Sequence, residues 1–148
     1  MNYTINKDLA EFIGILLGDG YLSGHKNNYE IKISLDKIKE KDYSLYLQKL
    51  FYQLFHLKIL SYERTSDGTL DLRISNKNLM IYLTEFIGLH KSPKMDRAEI
   101  PPLLFKPQFY TSLLRGYFDT DGCIVDTDNN GIRYPRIEMK ICRSPMQL

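Results

Sequence analysis

The residues of this chain whose types and spacing could do chemistry together are two aspartates, each closing a similar apolar run. Asp19 is the eighth residue of the stretch Phe12-Ile-Gly-Ile-Leu-Leu-Gly-Asp-Gly-Tyr21, and Asp121 holds the matching place in Leu114-Arg-Gly-Tyr-Phe-Asp-Thr-Asp-Gly-Cys123. In each copy a small residue stands at the third and seventh places, Gly14 and Gly18 in the first, Gly116 and Thr120 in the second. The two acids lie 102 positions apart (121 − 19), so one helix-and-acid unit recurs. Small residues four apart on a helix remove the side-chain ridges along one face and let a second helix come close. If the two runs pair side by side, Asp19 and Asp121 emerge together at their ends. Unpaired neighbouring carboxylates repel and raise each other's pKa, a penalty that a hard divalent cation removes. Such a pair holding Mg²⁺ suits phosphodiester hydrolysis, where the metal activates water and stabilises the departing oxygen.

Composition bounds the alternatives. The chain has 148 residues, 43% hydrophobic and 26% charged, with a formal net charge of +2. That length buries one good core, or one full lobe and part of another. The charge permits nucleic-acid binding without demanding it. The cysteines Cys123 and Cys142 and the histidines His25, His56 and His90 are not spaced as zinc ligands, which argues against a zinc finger or a histidine-metal nuclease. Both cysteines are expected as reduced, buried or half-buried thiols. No apolar run reaches a membrane-spanning length and the N-terminus has no signal-peptide pattern, so a cytoplasmic protein is expected.

The elements that must position the acids can be read from periodicity. The first helix is predicted over about Lys7 to Gly18, capped by Asn6 or Thr4 and closed by Gly18 or Gly20. After Tyr21 to Ser23 and a turn over residues 24–28, a strand alternates Ile31, Ile33 and Leu35 with Glu30, Lys32 and Ser34. A helix from about Lys41 to His56 carries Tyr43, Leu47, Leu50, Phe51 and Leu54 on one face. A hairpin follows, with strands near Lys58 to Arg64 and Thr69 to Ser75 about the Asp67-Gly68 turn. A third helix, about Lys77 to Ile87, is capped by Asn76, ends at Gly88, and turns Leu79, Leu83, Phe86 and Ile87 inward. The fourth begins at Pro107 and carries the second run. A short strand at Cys123 to Val125, a turn over residues 126–131, and a strand from Arg136 to Ile141 complete the order.

The fold class is therefore α+β: an αββαββα lobe at 1–90, a Pro-rich basic linker at 91–107, and the αββ start of a second, pseudo-symmetric lobe at 108–148. By analogy with the first lobe, a helix, hairpin and helix of about 50 residues would follow. The reading is of an incomplete second lobe: part of a longer protein, a shortened gene, or a half completed by another copy. Its uncovered apolar faces predict a homodimer or segment-swapped self-association.

Both runs resemble the LAGLIDADG motif, and the chain is similar to the two-motif homing endonucleases found in introns and inteins. The resemblance covers nearly the whole chain, including the αββαββα order and Glu99-Ile-Pro-Pro102 ahead of the second run. It implies a site-specific endonuclease that hydrolyses double-stranded DNA with Mg²⁺ (or Mn²⁺), the motif helices forming the lobe interface. Asp19 and Asp121 would bind the metal, with the backbone carbonyls of Gly18 and Thr120 as auxiliary ligands. The earlier acidic place of the motif is Leu17 in the first copy and Asp119 in the second. Where the family tends to carry a lysine before the Ile-Pro pair this chain has Ala98; Arg97 and Lys94 are the nearby catalytic candidates, with Lys32 and Lys140 as others. The resemblance also implies DNA contact through the sheet face away from the helices, by Lys32, Ser34, Arg64, Arg73, Ser75, Arg136 and Lys140, interspersed with Glu30, Tyr62, Asp71 and Glu138. Two alternatives stand beside cleavage: a maturase-like or regulatory nucleic-acid-binding module, and a remnant without activity.

Overall fold

The computed structural model describes residues 3–93 and 99–139. Helix α1 (Lys7–Gly18) starts where the Leu9 amide donates to the Asn6 side chain at 2.9 Å. It is followed by strands β1 (Gly20–His25) and β2 (Asn28–Asp36), helix α2 (Lys41–Phe55), strands β3 (Leu60–Glu63) and β4 (Thr69–Ser75), and helix α3 (Lys77–Ile81), which continues as a π-helical turn through Tyr82–Ile87. Helix α4 (Pro107–Asp121) and strands β5 (Gly122–Asn129) and β6 (Ile132–Met139) complete the described chain. The α+β class and the αββαββα–αββ order stand as read from the sequence.

The strands form a four-stranded antiparallel sheet, ordered β1-β2-β4-β3, and a separate β5-β6 hairpin. The core lies between α1, α2, α3 and the inner face of the larger sheet. There Leu9, Phe12 and Ile13 meet Phe51, Phe55, Ile31, Ile33 and Leu72, all nearly solvent-free. Phe12 makes edge contacts with both Phe51 and Phe55.

Several local expectations change. Strand β1 extends to His25, because Lys26 and Asn27 both adopt positive φ and make a two-residue hairpin turn. The β5-β6 turn is confined to Asn130 and Gly131, again with positive φ, so β5 runs four residues past Val125 and β6 begins at Ile132. Strand β3 is shorter than read from the sequence. The π turn re-phases the end of α3: Tyr82 becomes buried, while Phe86, expected inward, is 56% exposed. Neither Gly18 nor Gly20 closes α1 by a left-handed turn; the cap is Asp19 at φ −92°, its amide donating to the Ile15 carbonyl. Cys123 is exposed rather than covered, because none of the described residues packs over it. Cys142, Lys140 and residues 94–98, including Lys94 and Arg97, lie outside the described residues.

Candidate active site and nucleic-acid interface

Helices α1 and α4 pack with their backbones in contact. A Cβ at Gly14 would overlap the Leu113 carbonyl oxygen and sit 2.9 Å from the Tyr117 nitrogen. One at Gly116 would overlap the Glu11 carbonyl and sit 3.0 Å from the Ile15 nitrogen, and one at Gly18 would overlap the Thr120 hydroxyl. The contacts climb both helices in step, from Glu11 and Gly116 to Gly18 and Thr120, so the helices run parallel and finish at the same end. A glycine inside a helix costs roughly 0.5–1 kcal/mol against alanine, and this crossing is what the cost obtains. Gly20 serves a different approach: its Cβ would press on the backbone of Leu16.

At that shared end the last residue of α4, Asp121, places a carboxylate oxygen 3.5 Å from where a Gly18 Cβ would lie. Asp19 follows Gly18 directly as the α1 cap. Thr120 turns its hydroxyl back onto its own helix, donating to the Tyr117 carbonyl at 3.0 Å. The oxygens at this junction are hard donors, which suits a divalent cation of the Mg²⁺ or Mn²⁺ type. Among the described residues no group of three or more His, Cys, Asp or Glu side chains gathers as a metal site, at this junction or elsewhere. Both sheets leave this junction: β1 begins at Gly20 and β5 at Gly122, immediately after the two acids.

A second polar group, not foreseen from the sequence, lies two turns back along the crossing. Glu11 is only 6% exposed; it accepts a 2.6 Å hydrogen bond from the Tyr46 hydroxyl and faces the Arg115 guanidinium at 3.8 Å. Arg115 also faces Asp119 at 3.8 Å on its own helix, so the earlier acid of the second motif belongs to this cluster. Burial, the hydrogen bond to Glu11 and the Glu11 charge push the Tyr46 phenol up to about 12. Tyr43 is also raised, chiefly by burial and then by the charges of Asp119 and Glu11. The signal was available: Glu11 is the one acid inside an otherwise apolar helical run.

The outer face of the larger sheet brings the expected contact residues together. Lys32 is partnered across the ladders by Tyr21 and Arg73, Ser34 by Asp71, and Asp71 by Tyr62. The Lys32 ammonium sits 4.8 Å over the Tyr21 ring. Ser75 is exposed at the end of β4. Asp71 alone is solvent-free: it accepts from the Ser34 hydroxyl at 2.6 Å and from Arg73, and it pairs with Arg64 at 3.2 Å. Burial opposes its ionisation, but the bonds from Arg73 and Ser34 and the two guanidinium charges outweigh that and hold its carboxyl below the ordinary value. On the separate hairpin Arg136 is exposed and faces Glu138 at 3.5 Å. Lys91, of the basic linker, lies across β1 at Gly24, beside Ser92, whose amide donates to the Leu22 carbonyl at 2.8 Å.

This is the fold of the LAGLIDADG homing endonucleases. The homing endonuclease I-WcaI, solved bound to its DNA recognition sequence, aligns at a TM-score of 0.57 and 20% identity, over 88% of this chain and 56% of that one. A variant of I-DmoI, solved with its nicked target DNA and Mn, aligns at 0.54 and 18% identity, over 79% of this chain and 62% of that one. Among curated proteins, an uncharacterised protein of Methanocaldococcus jannaschii is 30% identical over 149 residues, 95% of this chain and 16% of its own length. The replication factor C small subunit of the same organism is 26% identical over 119 residues, and a probable translation initiation factor IF-2 of Thermococcus kodakarensis 28% over 113. The chain spans 6% and 9% of the lengths of those two proteins. No protein-family model matches the chain.

Proposed function

We propose that this chain is a site-specific endonuclease acting on double-stranded DNA, or the part of a longer one that carries both acids. The observation that carries the reading is the parallel contact of α1 and α4, which ends both helices, and so Asp19 and Asp121, at one point between two sheets. Asp19 and Asp121, with the carbonyls of Gly18 and Thr120, would hold a divalent cation there. Bound, it would supply an activated water and charge stabilisation at the scissile phosphate. The glycine-lined crossing keeps the two carboxylates from drifting apart, which is the positioning a displacement at phosphorus requires. The outer sheet faces present Lys32, Ser34, Arg64, Arg73, Ser75 and Arg136 to a duplex, with phosphates and base edges as partners. Lys94, Arg97 and Lys140 are the further basic candidates for contact with substrate near the scissile bond.

The comparisons support this in two ways. The similar structures were solved with DNA, and one with Mn. The curated matches are short stretches of proteins with unrelated tasks, a replication factor and a translation factor. One module lodged within unrelated host polypeptides is what a mobile element inserted in frame would leave. Asp19→Asn and Asp121→Asn are each expected to abolish Mg²⁺-dependent cleavage of the best-bound duplex while leaving binding intact. Cleavage surviving both changes would reject the assignment.

One observation favours the second reading, a nucleic-acid-binding module without cleavage. The second sheet has a single hairpin among the described residues, and its apolar side chains Ile124 and Ile137 are 69% and 73% exposed. A duplex or RNA bound selectively but never cut, with Mg²⁺ or Mn²⁺ present, would decide for it.

A further inference from the structure

The α1–α4 crossing is built on a local two-fold relation. Gly14 lies against Leu113 and Tyr117 of α4, and Gly116 lies against Glu11 and Ile15 of α1. Glu11 and Leu113, Gly14 and Gly116, and Ile15 and Tyr117 each stand 102 positions apart (116 − 14), so the two sets of contacts are copies of one another. Such a contact is self-complementary: its backbone geometry serves as well for α1 on a second α1, or for α4 on a second α4. Two side-chain pairs break the equivalence. Glu11, buried and bonded to Tyr46 of its own lobe, faces the Arg115 guanidinium of α4 at 3.8 Å, whereas α1 carries Ile13 at the place matching Arg115. At the far end of the crossing α1 has Gly18 where α4 has Thr120, and a Cβ on Gly18 would overlap the Thr120 hydroxyl.

We propose that these two pairs, Glu11 with Arg115 and Gly18 with Thr120, form a pairing code by which α1 accepts α4, from its own chain or from a second copy, and each helix refuses another of its own kind.

The two pairs act against different wrong partners. In α1 on α1, Ile13 would stand in place of Arg115, and two Glu11 carboxylates would be buried without a guanidinium. A buried charge that loses its partner is strongly destabilising, so that pairing is refused by charge. In α4 on α4, Arg115 would lose Glu11 at little cost, because its side chain is 61% exposed and water replaces the lost partner. There the block is steric. Thr120 would meet Thr120 where the backbones leave room for one side chain, and overpacking against a helix backbone is not relieved by a change of rotamer. Discrimination between like surfaces is gained in this way, by elements that penalise the wrong partner. As a consequence every such junction, within one chain or between two, holds one Asp19 and one Asp121.

The test exchanges counterpart residues in the full chain and reads urea unfolding and sedimenting mass, not cleavage, so its failure is distinguishable from failure of the nuclease reading. Arg115→Ile recreates at Glu11 the contact of α1 on α1, and Gly18→Thr recreates at Thr120 the contact of α4 on α4. Each is expected to raise the unfolded-to-folded ratio roughly tenfold or more. The second change should rescue the first: Glu11→Leu with Arg115→Ile, and Thr120→Gly with Gly18→Thr, are each expected within about threefold of wild type. An equimolar mixture of Gly18→Thr chains and Thr120→Gly chains should sediment as a one-to-one complex that neither forms alone, each α1 taking the other copy's α4. A Gly18→Thr chain that does not fold by itself leaves the test intact, since its double variant and its mixture are read for recovery. Arg115→Ile or Gly18→Thr as stable as wild type, double variants no better than the single ones, or a mixture that forms no complex would overturn the proposal.

Discussion

At the scale of single residues, the informative acids fall into two kinds. Asp19 and Asp121 stand at helix ends by the junction, where under the proposed function they would hold a cation against a substrate. Glu11 and Asp71 are buried and spend their charge inside the protein. For Asp71 the depressed carboxyl has a stability consequence with a definite sign. Its contribution is complete above the ordinary aspartate value of about 3.9 and is lost as pH falls through the lower folded value. Wild type should therefore exceed Asp71→Asn in urea-unfolding free energy by a constant margin from pH 7 down to about 5, and the margin should close in stronger acid. A margin that widened on acidification would contradict the buried ion cluster. Strand alternation in the sequence placed Ser34 and Arg73 on outward faces, and the resemblance added Arg64. It could not tell that Asp71, on the same face, lies beneath the arginines, because alternation assigns a side and not a depth.

At the scale of elements, the α1–α4 crossing decides the geometry of the candidate site. Helix propensity alone predicts that Gly116→Ala stabilises α4 by roughly 0.5–1 kcal/mol. The new methyl would strike the Glu11 carbonyl and crowd the Ile15 amide, both rigid backbone, and overpacking of that kind costs about 1–3 kcal/mol. The net expectation is destabilisation, read as a lower midpoint in thermal or urea unfolding, with Gly116→Val worse. Cleavage should fall more steeply than stability, since separating the helices separates Asp19 from Asp121. A Gly116→Ala protein more stable than wild type would mean the helices do not meet as described. The glycines of both motifs were legible as a close-packing signal. That Gly18 acts against Thr120 and not as a left-handed cap was not, because the same residue type serves both purposes.

At the scale of the whole molecule, the two sheets are unequally covered. Relative to the two acids, Leu22 and Ile31 form a cross-strand pair in the first sheet, as Ile124 and Ile137 do in the hairpin. The first pair is 4% and 0% exposed; the second is 69% and 73%. Exposed isoleucines side by side favour burial against another surface, at about 25 cal/mol per Å² removed from water. The chain is expected to self-associate through this face, or to have it covered within a longer protein. Replacing Ile124 and Ile137 by Ser should reduce the sedimenting mass toward a monomer without lowering the unfolding midpoint. A monomeric wild type at high protein concentration would oppose self-association. No helix among the described residues is long and apolar enough to cross a membrane.

The sequence by itself determined the order of elements, the cap at Asn76, the start of α4 at Pro107 and the recurrence of two motif copies, and it narrowed the α1 cap to Asn6 or Thr4. These are carried by spacing along one chain: period, cap and repeat are local quantities. Only the tertiary structure decided that the motif helices run parallel with touching backbones, that Glu11, Tyr46 and Arg115 gather beside them, and that Asp71 disappears beneath two arginines. The first two depend on which surfaces meet across 35 or more positions of separation, as Tyr46 and Glu11 do, and the third on side chains from neighbouring positions folding over one carboxylate; local periodicity does not encode depth of burial or the identity of the opposing face.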